Sequence, residues 1–153
     1  MLVFRLAKEQ YSKKLNSSGV ANRWNKEGQF VLYTGSSRAI TTLEHLVHLS
    51  GVIPSVSYKM MIIELKESQD LIKEIKLSEL GRDWRTLSEY HKQQMIGSEW
   101  YDKGEKLILK IPSAVMPQEH NYVLNTSHGD FKTKVKLMTV EEYFWDERLF
   151  INK

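Results

Sequence analysis

Short apolar runs with strand spacing recur along this chain and outnumber the stretches with helical spacing. Residues 2–6 alternate, with Arg5 opposed to Phe4 and Leu6, and predict a first strand. Residues 30–34 predict a second. Residues 56–65 alternate at first, then turn apolar on both faces at 60–63, the pattern of a strand with neighbours on either side. Residues 106–111 and 122–124 predict further strands. The alternation over 131–140 predicts the last, with Lys132, Lys134 and Lys136 on its solvent face.

Helical spacing is rarer. Gly35-Ser36-Ser37 ends a strand and offers hydroxyls to cap a helix reaching about Leu49. Ala39, Ile40, Leu43, Leu46 and Val47 repeat at three and four and predict one buried stripe. Glu44 falls on the margin of that stripe, and His45 turns toward water. Thr41-Thr42-Leu43-Glu44 also fits a capping box, but Ala39 and Ile40 already belong to the stripe and place the helix start earlier. Gly51 and Pro54 close it. A short helical turn is expected within 8–15 and a second helix over about 87–100, with Gly97 weakening its last turn. Residues 22–28 and 81–84 read as turns, each carrying one anchoring ring, Trp24 and Trp84. Residues 141–150 form a closing aromatic segment. With no repeat, linker or low-complexity tract, residues 1–153 read as one α/β (α+β) domain, a mixed, mostly antiparallel sheet with flanking helices.

Composition narrows the choices only slightly. At 41% hydrophobic and 27% charged the 153 residues are those of an ordinary globular protein. The absence of cysteine excludes disulfides, thiolate metal sites and cysteine nucleophiles. Arg5 and Lys8 interrupt the apolar start, so no signal-peptide core is expected, and no run is long enough to span a bilayer; a cytoplasmic location is the expectation. A net charge of +3 fits an anionic ligand or nucleic acid without separating them.

Candidate chemistry gathers near the N-terminus. Arg23 supplies a planar fork of donors suited to phosphate oxygens, Tyr33 a ring that can stack on a flat heterocycle, and Glu44 a carboxylate able to face developing positive charge. The alternative for this stretch is structural, with Trp24 plugging the core and Arg23 meeting solvent. Arg5 offers a second phosphate or ribose contact if it points into a cleft. His45 and His48 are three apart but lack a third ligand, so no metal site is expected. The familiar dinucleotide, nucleotide-phosphate, zinc-protease and serine-hydrolase motifs are absent. Ser113, His128 and Asp130 could be imagined as a hydrolase triad, but no nucleophile-elbow glycines surround the serine.

Arg23-Trp24-Asn25 with Gly28, Leu32-Tyr33, Leu43-Glu44 and His48, then Ile111-Pro112-Ser113-Ala114, Asn121, Leu124-Asn125, His128 and Phe131, resembles the RES-domain family over nearly the whole chain. One departure is Ala21-Asn22, where the family often has paired glycines. The resemblance implies a fold like that of ADP-ribosyltransferases and the toxin of a bacterial type II toxin–antitoxin pair. Such a toxin degrades NAD at its nicotinamide–ribose bond, by hydrolysis or phosphorolysis, or else transfers ADP-ribose to a protein. Its implied partner is an Xre-type helix-turn-helix antitoxin whose tail blocks the cleft; self-association through exposed aromatics is compatible with it, and direct contact with nucleic acid or membrane is not implied. Carried onto this chain, the resemblance assigns Glu44, Arg23, Tyr33 and Ser113 to catalysis. It assigns Arg5, Arg23, Tyr33, Ser113, Asn125 and His128 to NAD, with no metal. A reading from a different class is a non-catalytic nucleic-acid-binding module using the basic residues with Trp24, Trp84 and Trp100.

Overall fold

A computed structural model describes residues 1–66 and 68–150. Seven strands form one sheet: β1 (Leu2–Lys8), β2 (Val31–Gly35), β3 (Tyr58–Leu65), β4 (Ile72–Glu74), β5 (Ile108–Pro112), β6 (His120–Asn125) and β7 (Val135–Glu142). Their order is β4-β5-β6-β2-β1-β3-β7. All neighbours are antiparallel except β4 with β5, so the sheet is mixed, as expected. Among the described residues three α-helices accompany it: α1 (Arg38–Leu46), α2 (Tyr90–Lys103) and α3 (Phe131–Lys134).

The doubly apolar segment of β3 is explained by its neighbours. It pairs with β1 from Leu2↔Glu64 to Lys8↔Tyr58 and with β7 on its other edge. Met61 and Ile63 face a core shared with Val3, Leu32 and Leu124. Met60 and Ile62 face the opposite side with Phe4, Leu6 and Tyr58, under Tyr143 and Trp145. A third core gathers Trp24, Trp84 and Trp100 against Val31, Leu109, Ile111 and Val123. Burying one such ring removes its apolar surface from water, worth about 2–3 kcal/mol for a large side chain.

The seam between β1 and β2 sets the site. Among the described residues they pair as strands only at Phe4↔Gly35. Beyond it, toward Lys8 and Val31, the strands part and leave an opening between the two halves of the sheet.

Two glycines let helices press against this frame. A Cβ on Gly35 would lie 2.4 Å from Thr41 Oγ1, so only glycine lets the first turns of α1 settle on the strand end. Thr41 Oγ1 then donates to the carbonyl of Phe4 at 3.2 Å, and Ser37 accepts from the amide of Ile40 at 3.1 Å as the N-cap, worth about 1 kcal/mol. Gly97, which weakens a helix by propensity, sits where α2 meets the Trp24 turn: a Cβ there would come within 1.9 Å of the Trp24 carbonyl oxygen. Close approach of two backbones outweighs the propensity cost of about 1 kcal/mol.

Several elements differ from the sequence pattern. Residues 131–134 are α3, not strand, and β7 begins at Val135; Lys132 and Lys134 therefore lie on a helical turn rather than on an alternating face. Asp130 and Thr133 hold that turn through local bonds that alternation does not encode. The turn after β1 is a short 3-10 helix, Glu9–Tyr11. α1 ends at Leu46, and its expected stripe is not buried: Ile40 is covered, but Leu43 and Val47 are 36% and 57% exposed. The helix rests on the sheet by its first turns, so its later apolar positions remain uncovered. β4, three residues long, gave no alternation to read.

Candidate active site

A cleft of about 780 Å³ opens where β1 and β2 part, between α1 and the loops that carry Arg23 and Arg85. Its size is that of a small-molecule site. Arg5, Arg23, Arg85, His45 and His48 border it, and Glu44 is the one carboxylate among its described lining residues. The cleft is therefore biased toward an anionic ligand with a single acid inside.

Glu44 projects from α1, well past the Ser37 cap, which rules out the capping-box alternative. Its Oε1 accepts from Ser113 Oγ at 2.6 Å and from Asn121 Nδ2 at 2.6 Å. Its Oε2 has no hydrogen-bond partner among the described residues. Ser113 follows β5 and is fully buried. Its Oγ also accepts the amides of Val115 at 3.1 Å and Met116 at 2.9 Å. Two donors on the oxygen leave the hydroxyl proton for Glu44. Every bond of that hydroxyl is spent inside the protein, and Ser113 lies against the acid rather than among the residues that line the cleft.

Arg5 lies half-buried on β1, where Nη1 donates to the carbonyl of Tyr33 at 3.1 Å across the parted strands. No described carboxylate forms an ion pair with it, and burial lowers its pKa from the usual guanidinium value. A desolvated cation without an anion is a ready partner for phosphate. Arg23 lies 5.1 Å from the ring centre of Tyr90 and donates through Nη1 to the Trp84 carbonyl at 3.2 Å and Nη2 to the Arg85 carbonyl at 3.3 Å. It thus ties the loop around 84–85 to the rim while keeping N–H groups unspent. Trp24 is 2% exposed in the core, as the structural alternative expects, while Arg23 borders the cleft.

The Tyr33 ring also borders the cleft. Its hydroxyl donates to Asn25 Oδ1 at 2.8 Å and accepts the Trp24 amide at 3.0 Å, so it fixes the Arg23 turn; burial raises its pKa and keeps it neutral. His45, expected in water, instead packs edge-on to Tyr58 at 4.9 Å and near Trp145 at 5.9 Å. Burial, then the charges of His48, Arg5 and Lys8, lower its pKa. The closing aromatic segment covers this side of α1 and turns the imidazole inward.

Asn125 and His128 are not brought to the cleft. β6 carries Asn121 to one end and Asn125 to the other, about 13 Å along the strand. Asn125, 2% exposed, accepts the Ser127 amide at 2.9 Å, and His128 Nδ1 accepts the Asp130 amide at 3.1 Å. Both order the loop into α3. Ser113 is likewise separated from His128 and Asp130, so those three form no triad. Asn121, Arg85 and Tyr90 were missed as neighbours of the acid and of Arg23. Asn121 belonged to the motif set, but its place beside Glu44 depends on the Gly35↔Asn121 register, which no local pattern reveals.

The family model described as RES domain matches residues 2–146. A protein named Toxin Res from Yersinia enterocolitica is 26% identical over 153 residues, covering 97% of this chain and 99% of the relative. A Toxin Res from Pseudomonas putida is 30% identical over 131 residues, covering 86% and 87%. A Sphingobium protein named Prs ADP-ribosylating toxin is 29% identical over 131 residues, covering 83% and 79%. No helix among the described residues is long and apolar enough to cross a membrane.

Proposed function

The chain belongs to the RES-domain family, and on that premise we propose that it is a toxin that cleaves the nicotinamide–ribose bond of NAD. The observation that carries this reading is Glu44, held by Ser113 and Asn121 through one oxygen, with the other free of protein partners among the described residues, in a cleft that also holds Arg5, Arg23 and Arg85.

Nicotinamide leaves as a neutral base, so its departure needs no general acid. The positive charge of the nicotinamide ring passes to the ribose as an oxocarbenium-like state. Glu44 Oε2 stabilises that state and orients the ribose or the acceptor. Because Ser113 and Asn121 already fix the carboxylate, little reorganisation accompanies the reaction. Arg5 and Arg23 hold the pyrophosphate, and the Tyr33 ring lies against nicotinamide. Ser113 acts through Glu44.

Water or phosphate as acceptor depletes NAD. Transfer to a protein is a second reading, favoured by the name of the Sphingobium relative. The name Toxin Res carried by two relatives supports the toxin role; an Xre-type helix-turn-helix antitoxin whose tail enters the cleft is the partner proposed. Incubating the purified chain with NAD and following free nicotinamide tests the cleavage, and adding lysate while tracing labelled ADP-ribose on protein separates the acceptors. Absence of nicotinamide release under both conditions overturns the reading.

A further inference from the structure

Among the described residues Asn121 makes one side-chain hydrogen bond, from Nδ2 to Glu44 Oε1 at 2.6 Å. An ionised carboxylate only accepts, so the atom facing it must be the amide nitrogen, which fixes Oδ1 on the other branch. Among the described residues neither Asn121 Oδ1 nor Glu44 Oε2 has a donor, and both residues line the cleft. The backbone of Asn121 is fastened between Gly35 of β2 and Ile111 of β5. Glu44 rides on the helix seated against Gly35. The two acceptors are therefore held by a common rigid support and joined by a shared hydrogen bond.

A free carboxylate can accept both hydroxyls of a diol through its two oxygens. Here Oε1 already accepts two bonds, so a second hydroxyl needs another acceptor, and Asn121 Oδ1 is the neighbour with one to give. Resting on the reading of the cleft as an NAD site, we infer that Asn121 acts twice: Nδ2 positions Glu44, and Oδ1 accepts one hydroxyl of the nicotinamide ribose while Glu44 Oε2 takes the adjacent one. The pair thus selects a ribose bearing both hydroxyls.

The test measures nicotinamide release from NAD and from NAD analogues lacking the 2′- or the 3′-hydroxyl of that ribose, corrected for spontaneous hydrolysis. Asn121→Asp keeps the shape but faces Glu44 with a second carboxylate; kcat should fall about tenfold or more with KM within about threefold. Asn121→Ala should become insensitive, within about twofold, to loss of one of the two hydroxyls that wild type requires. Should the alanine variant melt early, the near-isosteric Asn121→Leu, which also lacks the acceptor, carries the hydroxyl test in its place. Wild-type kcat in Asn121→Asp, or undiminished discrimination at both hydroxyls in Asn121→Ala, overturns the inference while leaving NAD cleavage intact. No nicotinamide release by the wild type removes the NAD reading and this inference with it.

Discussion

The carboxylate of Glu44 and the hydroxyl of Ser113 lie 2.6 Å apart although 69 residues separate them in sequence. The contact joins α1 to the residue that follows β5. Ser113 is the hub, since the Val115 and Met116 amides converge on the same oxygen. Ser113→Ala strips one donor from the acid and leaves two amides without their acceptor, at a cost of about 1–3 kcal/mol in stability. Nicotinamide release should show kcat lowered about tenfold with KM little changed. A rise in KM alone points instead to ligand contact by Ser113.

Arg23 holds the Trp84 and Arg85 carbonyls while bordering the cleft. Arg23→Ala should raise the Kd for NAD by about tenfold or more, the scale of one charge-assisted contact. Arg23→Lys should recover little, because a point charge cannot span both carbonyls and still meet a phosphate. Calorimetric titration decides it: equal NAD affinity in both variants and wild type removes Arg23 from the binding site.

Gly97 and the Trp24 carbonyl leave no room for a methyl group, with 1.9 Å between an added Cβ and the oxygen. Gly97→Ala should therefore destabilise by about 3 kcal/mol, despite alanine being the better helix former. Because the displaced residue follows Arg23, affinity for NAD should fall along with the melting temperature. A more stable variant contradicts the packing described.

His45 has a folded-state pKa below its usual value of 6.5, through burial and then neighbouring positive charge. The unfolded chain therefore binds the extra proton more readily. The stability tied to neutral His45 is fully present above the unfolded pKa and is lost as pH falls through the folded one. Melting temperature should drop between about pH 7 and pH 5, and His45→Gln should flatten part of that slope. An identical slope in the variant assigns the pH dependence to other groups.

The strands of the first half of the chain were legible because β1 and β3 expose opposite faces to different cores, which alternation and a doubly apolar run record directly. Glu44 was legible from its place after the Ser37 cap. What stayed hidden depended on partners distant in sequence. Leu43 and Val47 have the spacing of a buried stripe, yet α1 touches the sheet mainly through Ile40 and Thr41. His45 turns inward only because Trp145 folds back over it. Asn125 and His128 share a motif with Asn121, but Asn125 sits at the far end of the same strand and His128 in the loop beyond it, a separation that sequence order compresses. Ser113 stood out in sequence only as one polar residue of a motif, while its three bonds, all inside the protein, depend on the fold.

Glu44→Gln tests the central claim most directly, because it preserves shape and removes the charge. With NAD binding verified by titration, nicotinamide release at saturating NAD should fall about a hundredfold or more relative to wild type. Release at the wild-type rate by a folded, NAD-binding Glu44→Gln would contradict the assignment of this carboxylate to the reaction.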